Sequence, residues 1–269
     1  MQIKDLLEIS SGIRDAIKSY MAGTANYGEI IAKRERDVTR RVDMFAEKAL
    51  EQALDSRNLC ARVISEELGD HVYPKGEDPE FTLIFDPLDG STNAILGIPF
   101  FCTSIAYSPK IDHIRFGDIQ AGAVATISGK TFYAVKGGSA FVDGKKLPRE
   151  VKGKTKLVLS IYSYGAGSIP EGLIQFQKET KNVVVRVLGS IAMEICMVAE
   201  GAIDAVIDVR GLINGYDIAG ASLILKEAGG IITDLKGNEL VNEAGKAQNI
   251  SLTATLVPEI YNKIRGIVV

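Results

Sequence analysis

Apolar residues recur at helical spacing in two stretches near the N-terminus, over 2–22 and from about Asp43 onward. This spacing predicts two amphipathic helices, each with one apolar face directed at a core. The segment between them, 24–41, is polar and charged with little periodicity, so a loop or a hairpin is expected there.

Short apolar runs replace the helical pattern after these helices. The runs 60–64 and 81–85 predict strands, and acidic residues follow each of them directly. From 101 to 142, apolar and small polar residues alternate between glycine-containing turns, which is typical of an antiparallel meander. We expect a sheet here, with carboxylates delivered at the ends of two of its strands.

The second half of the chain alternates strand-like and helical patterns more regularly. Strand-like runs occur at 157–162, 183–187, 204–208, 230–233 and 249–253. Helical patterns separate them near 171–180, 189–200, 216–228 and 257–266. This rhythm predicts a layered α/β arrangement. The Lys-rich connector 145–156 is the candidate boundary, which divides the chain into an α+β half, 1–147, and an α/β half, 148–269.

Composition narrows the class of protein. The 269 residues are 46% hydrophobic and 24% charged, and 31 basic residues against 34 acidic ones give a net charge of −3. These values are ordinary for a soluble globular chain. A general nucleic-acid binder would need an excess of basic residues, so nucleic acid is not an expected partner. No apolar run approaches the roughly 18 residues of a membrane span, and the N-terminus does not resemble a secretory signal.

The cysteines and histidines bear on compartment and metal type. Cys60, Cys102 and Cys196 are far apart and lie among apolar neighbours. We expect them to be buried free thiols in a reducing compartment, which favours the cytoplasm. The two histidines cannot supply a His-rich zinc site.

The segment Asp86–Asn93, with the sequence DPLDGSTN, is the most informative stretch of the chain. The proline disfavours helix at Asp86, and Gly90 permits a tight turn, so Asp86, the Leu88 carbonyl and Asp89 can converge on one point. The following residues can open a helix whose N–H groups face an anion. Such oxygen ligands suit hard cations that bridge a phosphate. The alternative is a capping turn with two surface aspartates.

Acidic residues elsewhere add to this pattern. Glu66 and Glu67 follow the preceding strand, and an adjacent strand would place them beside Asp86, although a Glu-Glu pair is usually solvated surface. Asp217 begins a later helix, where it either caps that helix or completes a cation site.

Three blocks together, Ser65–Glu67, Asp86–Asn93 and Tyr216–Ala221, resemble in order and spacing the inositol monophosphatase family of magnesium-dependent, lithium-sensitive phosphatases. The resemblance covers essentially the whole chain. Tyr216 replaces the family's usual Trp, which keeps an aromatic residue before the last acid. The resemblance implies an α-β-α-β-α five-layer sandwich of the sugar phosphatase type and a homodimer or dimer of dimers.

A finer resemblance points to one branch of the family. Asp208-Val-Arg210 and the segment 186–190 are similar to the archaeal enzymes that act on both fructose-1,6-bisphosphate and inositol-1-phosphate. Two arginines at strand ends, Arg186 and Arg210, would suit a second phosphate. Structural or surface ion pairs are the alternative interpretation of both arginines.

The resemblance also implies roles for individual residues. The implied ligands of two or three Mg²⁺ ions, with Mn²⁺ as a substitute, are Glu66, Asp86, the Leu88 carbonyl, Asp89 and Asp217. The implied catalytic pair, which orients and activates an attacking water, is Ser91 with Asp43. The implied substrate contacts are Asp89, Gly90, Ser91, Arg186, Ile191 and Arg210. The loop 24–41, with Lys33 and Asp37, resembles a mobile loop that recruits a further metal, and Asp43 has a helix-capping role as its alternative.

The substrate expected from this resemblance is a small phosphorylated sugar or cyclitol, hydrolysed by water without a phosphoenzyme. Three alternatives stay open. The same scaffold supports phosphatases of 3′-phosphoadenosine or of NADP(H), and some bacterial relatives serve transcription complexes as binding proteins. A phosphoaspartyl mechanism with Asp86 as nucleophile needs D-x-D, whereas this chain has D-x-x-D.

Overall fold

The computed structural model describes residues 1–33, 38–150, 153–165 and 171–265, and of Gln177 the backbone alone. An eight-stranded and a five-stranded sheet alternate with three layers of helices, which confirms the expected five-layer sandwich. The helices are α1 Ile3–Gly23, α2 Arg41–Asp55, α3 Ser91–Leu96, α4 Glu171–Glu179, α5 Ile191–Glu200, α6 Gly215–Glu227 and α7 Pro258–Arg265. The strands are β1 Ile30–Lys33, β2 Val38–Arg40, β3 Ala61–Ser65, β4 Gly69–Tyr73, β5 Phe81–Asp89, β6 Cys102–Ser108, β7 Ala121–Thr126, β8 Thr131–Val135, β9 Ala140–Val142, β10 Lys145–Lys146, β11 Leu157–Tyr162, β12 Val183–Arg186, β13 Ala205–Ile213, β14 Ile231–Thr233 and β15 Ile250–Thr255.

Helices α1 and α2 form the first layer and cover one face of the larger sheet. Both carry their apolar side chains at spacings of three and four residues, which places them on one stripe. The buried stripe of α1 consists of Leu6, Ile9, Ile13 and Ile17. These side chains pack with the apolar residues of β5, such as Leu83 and Phe85, in a common cluster.

The larger sheet has eight strands in the order β10-β9-β8-β7-β6-β5-β3-β4. Its one parallel pair is β3 with β5, where Ser65 lies opposite Phe85. The two strands therefore end at the same edge, and the Glu66 N–H donates to the Phe85 carbonyl at 3.1 Å. This pairing brings the acids that follow each strand together.

The smaller sheet has five strands in the order β12-β11-β13-β15-β14. Strands β11, β12 and β13 are parallel, and β15 runs antiparallel to β13 and β14. Helices α4 and α7 cover its outer face, where Leu173 and Ile264 pack against Leu159 and Ile207.

Helices α5 and α6 form the middle layer and pack against both sheets. Their side chains belong to the largest apolar cluster, which includes Val124 of the larger sheet, Ile195 and Ile218 of these helices, and Leu252 of the smaller sheet. Residues from both sides of position 147 thus share one core.

The structure agrees with most of the predicted elements. The segment 24–41 contains a hairpin, since β1 and β2 pair antiparallel. The strands β4 and β10 were not predicted, because they are short and polar and carry no apolar alternation. The three cysteines are buried and unpaired, as expected. Within the described residues, no helix combines the length and the apolar character needed to cross a membrane.

Candidate active site

A cavity of about 630 Å³ opens where strand ends of both sheets meet helix starts. Its walls come from the ends of β3, β5, β11 and β13 and from the first turns of α2, α3, α5 and α6. The predicted site residues that line it are Asp43, Glu66, Asp86, Leu88, Asp89, Gly90, Ser91, Ile191, Arg210 and Asp217. Segments far apart in the sequence therefore converge on one cavity.

The end of β5 is irregular, and this irregularity shapes the floor of the cavity. Pairing with β6 shifts register between Asp86 and Asp89, with the proline between them. Asp86 is buried, and its Oδ1 accepts the Leu88 N–H at 2.9 Å. Gly90 follows with φ of 96°, and a Cβ there would lie 3.0–3.2 Å from neighbouring atoms, so glycine is required on two grounds.

Asp89 is tied to the start of α5. Its carboxylate accepts the Ser190 hydroxyl at 2.6 Å, the Ala192 N–H at 2.7 Å and the Ile191 N–H at 3.2 Å. The N–H groups of this helix terminus thus already serve a carboxylate. Burial raises the pKa of Asp89 to about 6, against the lowering effect of these hydrogen bonds and of the Cys102 thiol.

Asp86 lies where the carboxylates of the cavity come together. Burial raises its pKa well above the ordinary value, and the charges of Asp89 and Asp217 raise it further. A hydrogen bond with Glu66 acts in the opposite direction. Carboxylates brought together in this way need a cation or a shared proton.

The residues present fit Mg²⁺. The predicted donors are all oxygens, which suits a hard cation. Among the described residues, no three His, Cys, Asp or Glu side chains are grouped closely enough to enclose a metal ion unaided. Mg²⁺ commonly keeps several waters and binds through a few carboxylates together with substrate phosphate, so an open set of acids is compatible with it.

Asp43 and Asp217 each cap a helix and also line the cavity. The Oδ2 of Asp43 accepts the Arg40 N–H at 2.7 Å, and the Oδ2 of Asp217 accepts the Asn214 N–H at 2.7 Å. Both acids therefore cap their own helices, as the alternative interpretation held, and both also line the cavity. Capping and a functional role are compatible in this geometry.

Arg210 lines the cavity, and its guanidinium group contacts one carboxylate and two aromatic rings. Its Nε and Nη2 both donate to Asp208 Oδ2, at 3.0 and 2.6 Å. Its guanidinium carbon lies 4.3 Å from the ring centre of Tyr162 and 4.6 Å from that of Tyr164. The structural ion pair is thus present, and the same side chain faces the cavity.

Other predicted residues lie elsewhere. Arg186 ends an edge strand, is exposed, and donates to the Val185 carbonyl at 2.9 Å, and it is not among the residues that line the cavity. Lys33 is exposed on β1. Asp37 lies outside the described residues.

Several residues of this site were not predicted from the sequence. Tyr162 and Tyr164 line the cavity, and Asn93 donates to the Phe100 and Leu188 carbonyls at 2.7 and 2.6 Å. Asn93 belongs to the DPLDGSTN block, so its position was a usable signal. The tyrosines carried no motif, and only their place at the end of a predicted strand could have indicated them.

Comparison with known proteins identifies the family. The model of the inositol monophosphatase family matches residues 6–265. This chain belongs to the inositol monophosphatase family. Its sequence is 31% identical to the fructose-1,6-bisphosphatase/inositol-1-monophosphatase of Methanothermobacter thermautotrophicus, over 91% of this chain and 89% of that protein.

Two other proteins similar to this chain bear on its fold and on the range of substrates in the family. A solved structure described as an inositol monophosphatase-fructose 1,6 bisphosphatase superposes with a TM-score of 0.78 and 27% identity, covering 99% of both chains. The bifunctional NADP phosphatase/NAD kinase of Methanococcus maripaludis is 31% identical over 87% of this chain, which spans only 43% of that longer protein. The fold and family are therefore shared with phosphatases of more than one substrate class.

Proposed function

We propose that this chain is a Mg²⁺-dependent phosphomonoester hydrolase that releases phosphate from fructose-1,6-bisphosphate and inositol-1-phosphate by attack of an activated water. The observation that carries the proposal is the convergence of Glu66, Asp86, Asp89 and Asp217 on one cavity that Arg210 also lines. Acids alone would repel a phosphate ester, so this arrangement requires cations between them and the substrate.

In this proposal Glu66, Asp86, the Leu88 carbonyl, Asp89 and Asp217 hold two or three Mg²⁺ ions, with Mn²⁺ as a substitute. When bound, the ions would neutralise the phosphate oxygens, stabilise the leaving alkoxide and lower the pKa of the attacking water.

The chain's own residues then handle the nucleophile and the ester. Asp43, with its Oδ2 on the Arg40 N–H, and Ser91 at the first position of α3 orient the water, and Asp43 takes up its proton. Gly90 and Ser91 hold the phosphate through their backbone N–H groups. Arg210, and Arg186 after a movement toward the cavity, hold the distal part of the substrate, near the start of α5 at Ile191.

Phosphate release from both substrates, measured while Mg²⁺ is titrated and Li⁺ is added, tests the proposal. We expect activity that requires Mg²⁺ and is abolished by a chelator, and the Li⁺ titration measures whether the enzyme is sensitive to lithium. The Asp86→Asn variant should lose activity, while Asp112→Asn, which alters an exposed acid paired with Arg62, should not. Full activity of Asp86→Asn would show that the site is wrongly assigned, and inactivity of the wild type on both esters would reject the substrate class.

A second candidate is a phosphatase of NADP(H) or 3′-phosphoadenosine. The similarity to the NADP phosphatase/NAD kinase favours it, as do two exposed side chains at the cavity, Tyr164 and Leu212, which could cover a planar base. Comparison of NADP⁺ and 3′-phosphoadenosine with fructose-1,6-bisphosphate under the same conditions distinguishes the two. A higher kcat/KM for either nucleotide would replace the first proposal.

A non-catalytic binding role is the third alternative, and the presence of every predicted acidic ligand favours catalysis over it. By resemblance we further propose a homodimer or a dimer of dimers, which light scattering of the purified protein would test. The three buried thiols favour a cytoplasmic location.

A further inference from the structure

Glu194 is a carboxylate that the proposed mechanism does not use, yet it lies fully buried in the middle layer, on α5. Its Oε1 accepts the Ser160 hydroxyl and, at 3.2 Å, the Leu188 N–H. Its Oε2 accepts the Tyr162 hydroxyl. The carboxylate therefore joins α5 and the segment just before it to strand β11, whose end reaches the cavity.

Burial of a carboxylate without a cation is expensive. Burial raises the pKa of Glu194, and the three donors oppose that rise. An apolar side chain of similar size would fill the same space without this cost. The arrangement is therefore better explained by what Glu194 holds in place than by stability.

The Tyr162 side chain is the link from Glu194 to the cavity. Its hydroxyl donates to Glu194 and accepts the Gly189 N–H at 3.0 Å, so two hydrogen bonds fix the position of the hydroxyl end of the ring. The face of that ring lies 4.3 Å from the Arg210 guanidinium carbon. Arg210 also donates to Asp208, which is fully buried.

We propose that Glu194 is a positioning residue that acts through Tyr162 to fix the Arg210 guanidinium, and that it thereby sets the affinity for substrates with an anionic group beyond the reacting phosphate. The inference rests on the proposed function, in which Arg210 contacts the distal part of the substrate. Glu194 itself touches neither substrate nor metal.

The Glu194→Gln variant separates the Tyr162 contact from the others. Two donors face Oε1 and one faces Oε2, so the amide oxygen of Gln is best placed at the Oε1 position. The amide nitrogen then faces the Tyr162 hydroxyl and cannot accept its proton, so the charge-assisted bond is lost and only a weaker one, with the hydroxyl as acceptor, can replace it. Tyr162→Phe removes the same bond from the other side and keeps the ring. Ser160→Ala is the matched control, because it removes a donor to Oε1 and leaves the Tyr162 bond intact.

The first measurement does not depend on activity. In protein labelled with ¹⁵N-arginine, the Nε–Hε signal of Arg210 is assigned by its loss in Arg210→Lys, and the nearby aromatic rings should shift it from the range of exposed arginines. We expect Glu194→Gln and Tyr162→Phe to move this signal toward that range, and Ser160→Ala to leave it in place. A wild-type-like Arg210 signal in both Glu194→Gln and Tyr162→Phe would overturn the proposal.

The second measurement is kinetic, with fructose-1,6-bisphosphate compared with p-nitrophenyl phosphate, which has no distal anion. We expect both variants to raise KM for the bisphosphate about fivefold, the scale of one lost hydrogen bond, with little change in kcat or in the KM of the monoester. The double variant should raise KM for the bisphosphate no further than the more affected single variant, because both substitutions act on the same Tyr162–Glu194 hydrogen bond. Equal losses on both esters, or additive losses in the double variant, would overturn the proposal and indicate general structural damage.

The two measurements distinguish failure of the proposed function from failure of the positioning role of Glu194. If the wild type hydrolyses neither sugar phosphate, the proposed function fails, and the Arg210 signal still decides whether Glu194 positions the guanidinium. If the wild type is active on the bisphosphate and the KM of Glu194→Gln is unchanged, the inference fails while the proposed function stands.

Discussion

At the scale of single residues, the acids at the cavity serve the fold and the chemistry with the same carboxylate. Asp43 and Asp217 each use one oxygen to cap a helix, and each lines the cavity. A sequence pattern cannot distinguish the two uses, because a capping acid and a functional acid occupy the same helical position. Only the convergence of other acids on the same point favours function.

Substitution by Asn separates these roles at Asp43. Asn keeps a side-chain oxygen for the Arg40 N–H but loses the negative charge, so Asp43→Asn should keep its melting temperature and lose roughly 100-fold or more in kcat. Asp43→Ala should lose the same activity and, in addition, about 1 kcal/mol of stability. Phosphate-release assays and thermal melts of both variants make the comparison.

The control for this prediction is Asp5→Asn. Asp5 caps α1 in the same way, accepting the Gln2 N–H at 2.8 Å, and it is not among the residues that line the cavity. Its replacement should leave kcat unchanged. A fully active Asp43→Asn would assign Asp43 to capping alone.

Glu47, one turn after Asp43, makes stability depend on pH. It is buried, and burial raises its pKa from 4.5 to about 7, with the charge of Glu67 adding to the rise. The Ser65 hydroxyl and the backbone N–H groups of Glu67 and Leu68 oppose the rise. The folded state therefore binds more protons than the unfolded state between these two values.

The sign of the pH effect follows from this difference in bound protons. Stability from Glu47 is fully present below pH 4.5 and is lost as pH rises through about 7, by up to about 3 kcal/mol. The free energy of unfolding, measured with urea, should fall less between pH 5 and pH 8 in Glu47→Gln than in the wild type. Glu51→Gln, on the same helix but less buried, is the control and should follow the wild type. Equal pH dependence in Glu47→Gln and the wild type would contradict the assignment.

At the scale of elements, the sequence predicted strands and helices well where a local pattern exists. The helical stripe of α1 and the alternation in β6–β9 are local, so they could be read directly. The register shift between Asp86 and Asp89 could be anticipated only in part, since Pro87 indicates an interruption but not which side chain turns inward. The short strands β4 and β10 depend on pairing with a neighbour, which no local pattern records.

The contact of α6 with β7 gives a test at this scale. A Cβ on Gly122 would lie 2.7 Å from the Gly220 carbonyl oxygen, a backbone atom that cannot move aside cheaply. Gly122→Ala should therefore destabilise the protein by about 1–3 kcal/mol, because the helix must separate from the sheet. Gly12, exposed on α1 with no atom within 4 Å of a Cβ, is the matched control.

Gly12→Ala should act in the opposite direction and stabilise the protein by about 0.5–1 kcal/mol, since alanine is the better helix former. Urea unfolding of both variants measures the difference. A Gly122→Ala variant as stable as the wild type would mean that α6 and β7 tolerate a wider separation.

At the scale of the whole molecule, the sequence predicted which blocks meet but not what holds them. The acids could be placed at one cavity because each follows a recognisable block. Tyr162 and Glu194 could not, since they come from segments without a motif and meet only through the packing of α5 on the smaller sheet. Arg186 is the opposite case. The resemblance of its segment to one branch of the family predicted a place in the site, but its side chain is exposed on an edge strand.

The shared middle layer predicts that the two halves of the chain unfold cooperatively. The larger sheet needs α5 and α6, which follow the predicted boundary at 147, to cover its inner face, and the smaller sheet packs on the same helices. Neither half can then bury its apolar surface alone, so both should unfold together. Scanning calorimetry should show one transition, with calorimetric and van't Hoff enthalpies equal for a single cooperative unit.

Gly122→Ala provides the decisive variant for this prediction, because it weakens the contact between the middle layer and one sheet only. If the molecule is one cooperative unit, the variant lowers the temperature of the single transition without splitting it. If 1–147 and 148–269 were independent domains, the larger sheet would melt first and a second transition would stay at the wild-type temperature. Two resolved peaks in the variant would therefore contradict a shared core and favour two separately stable halves.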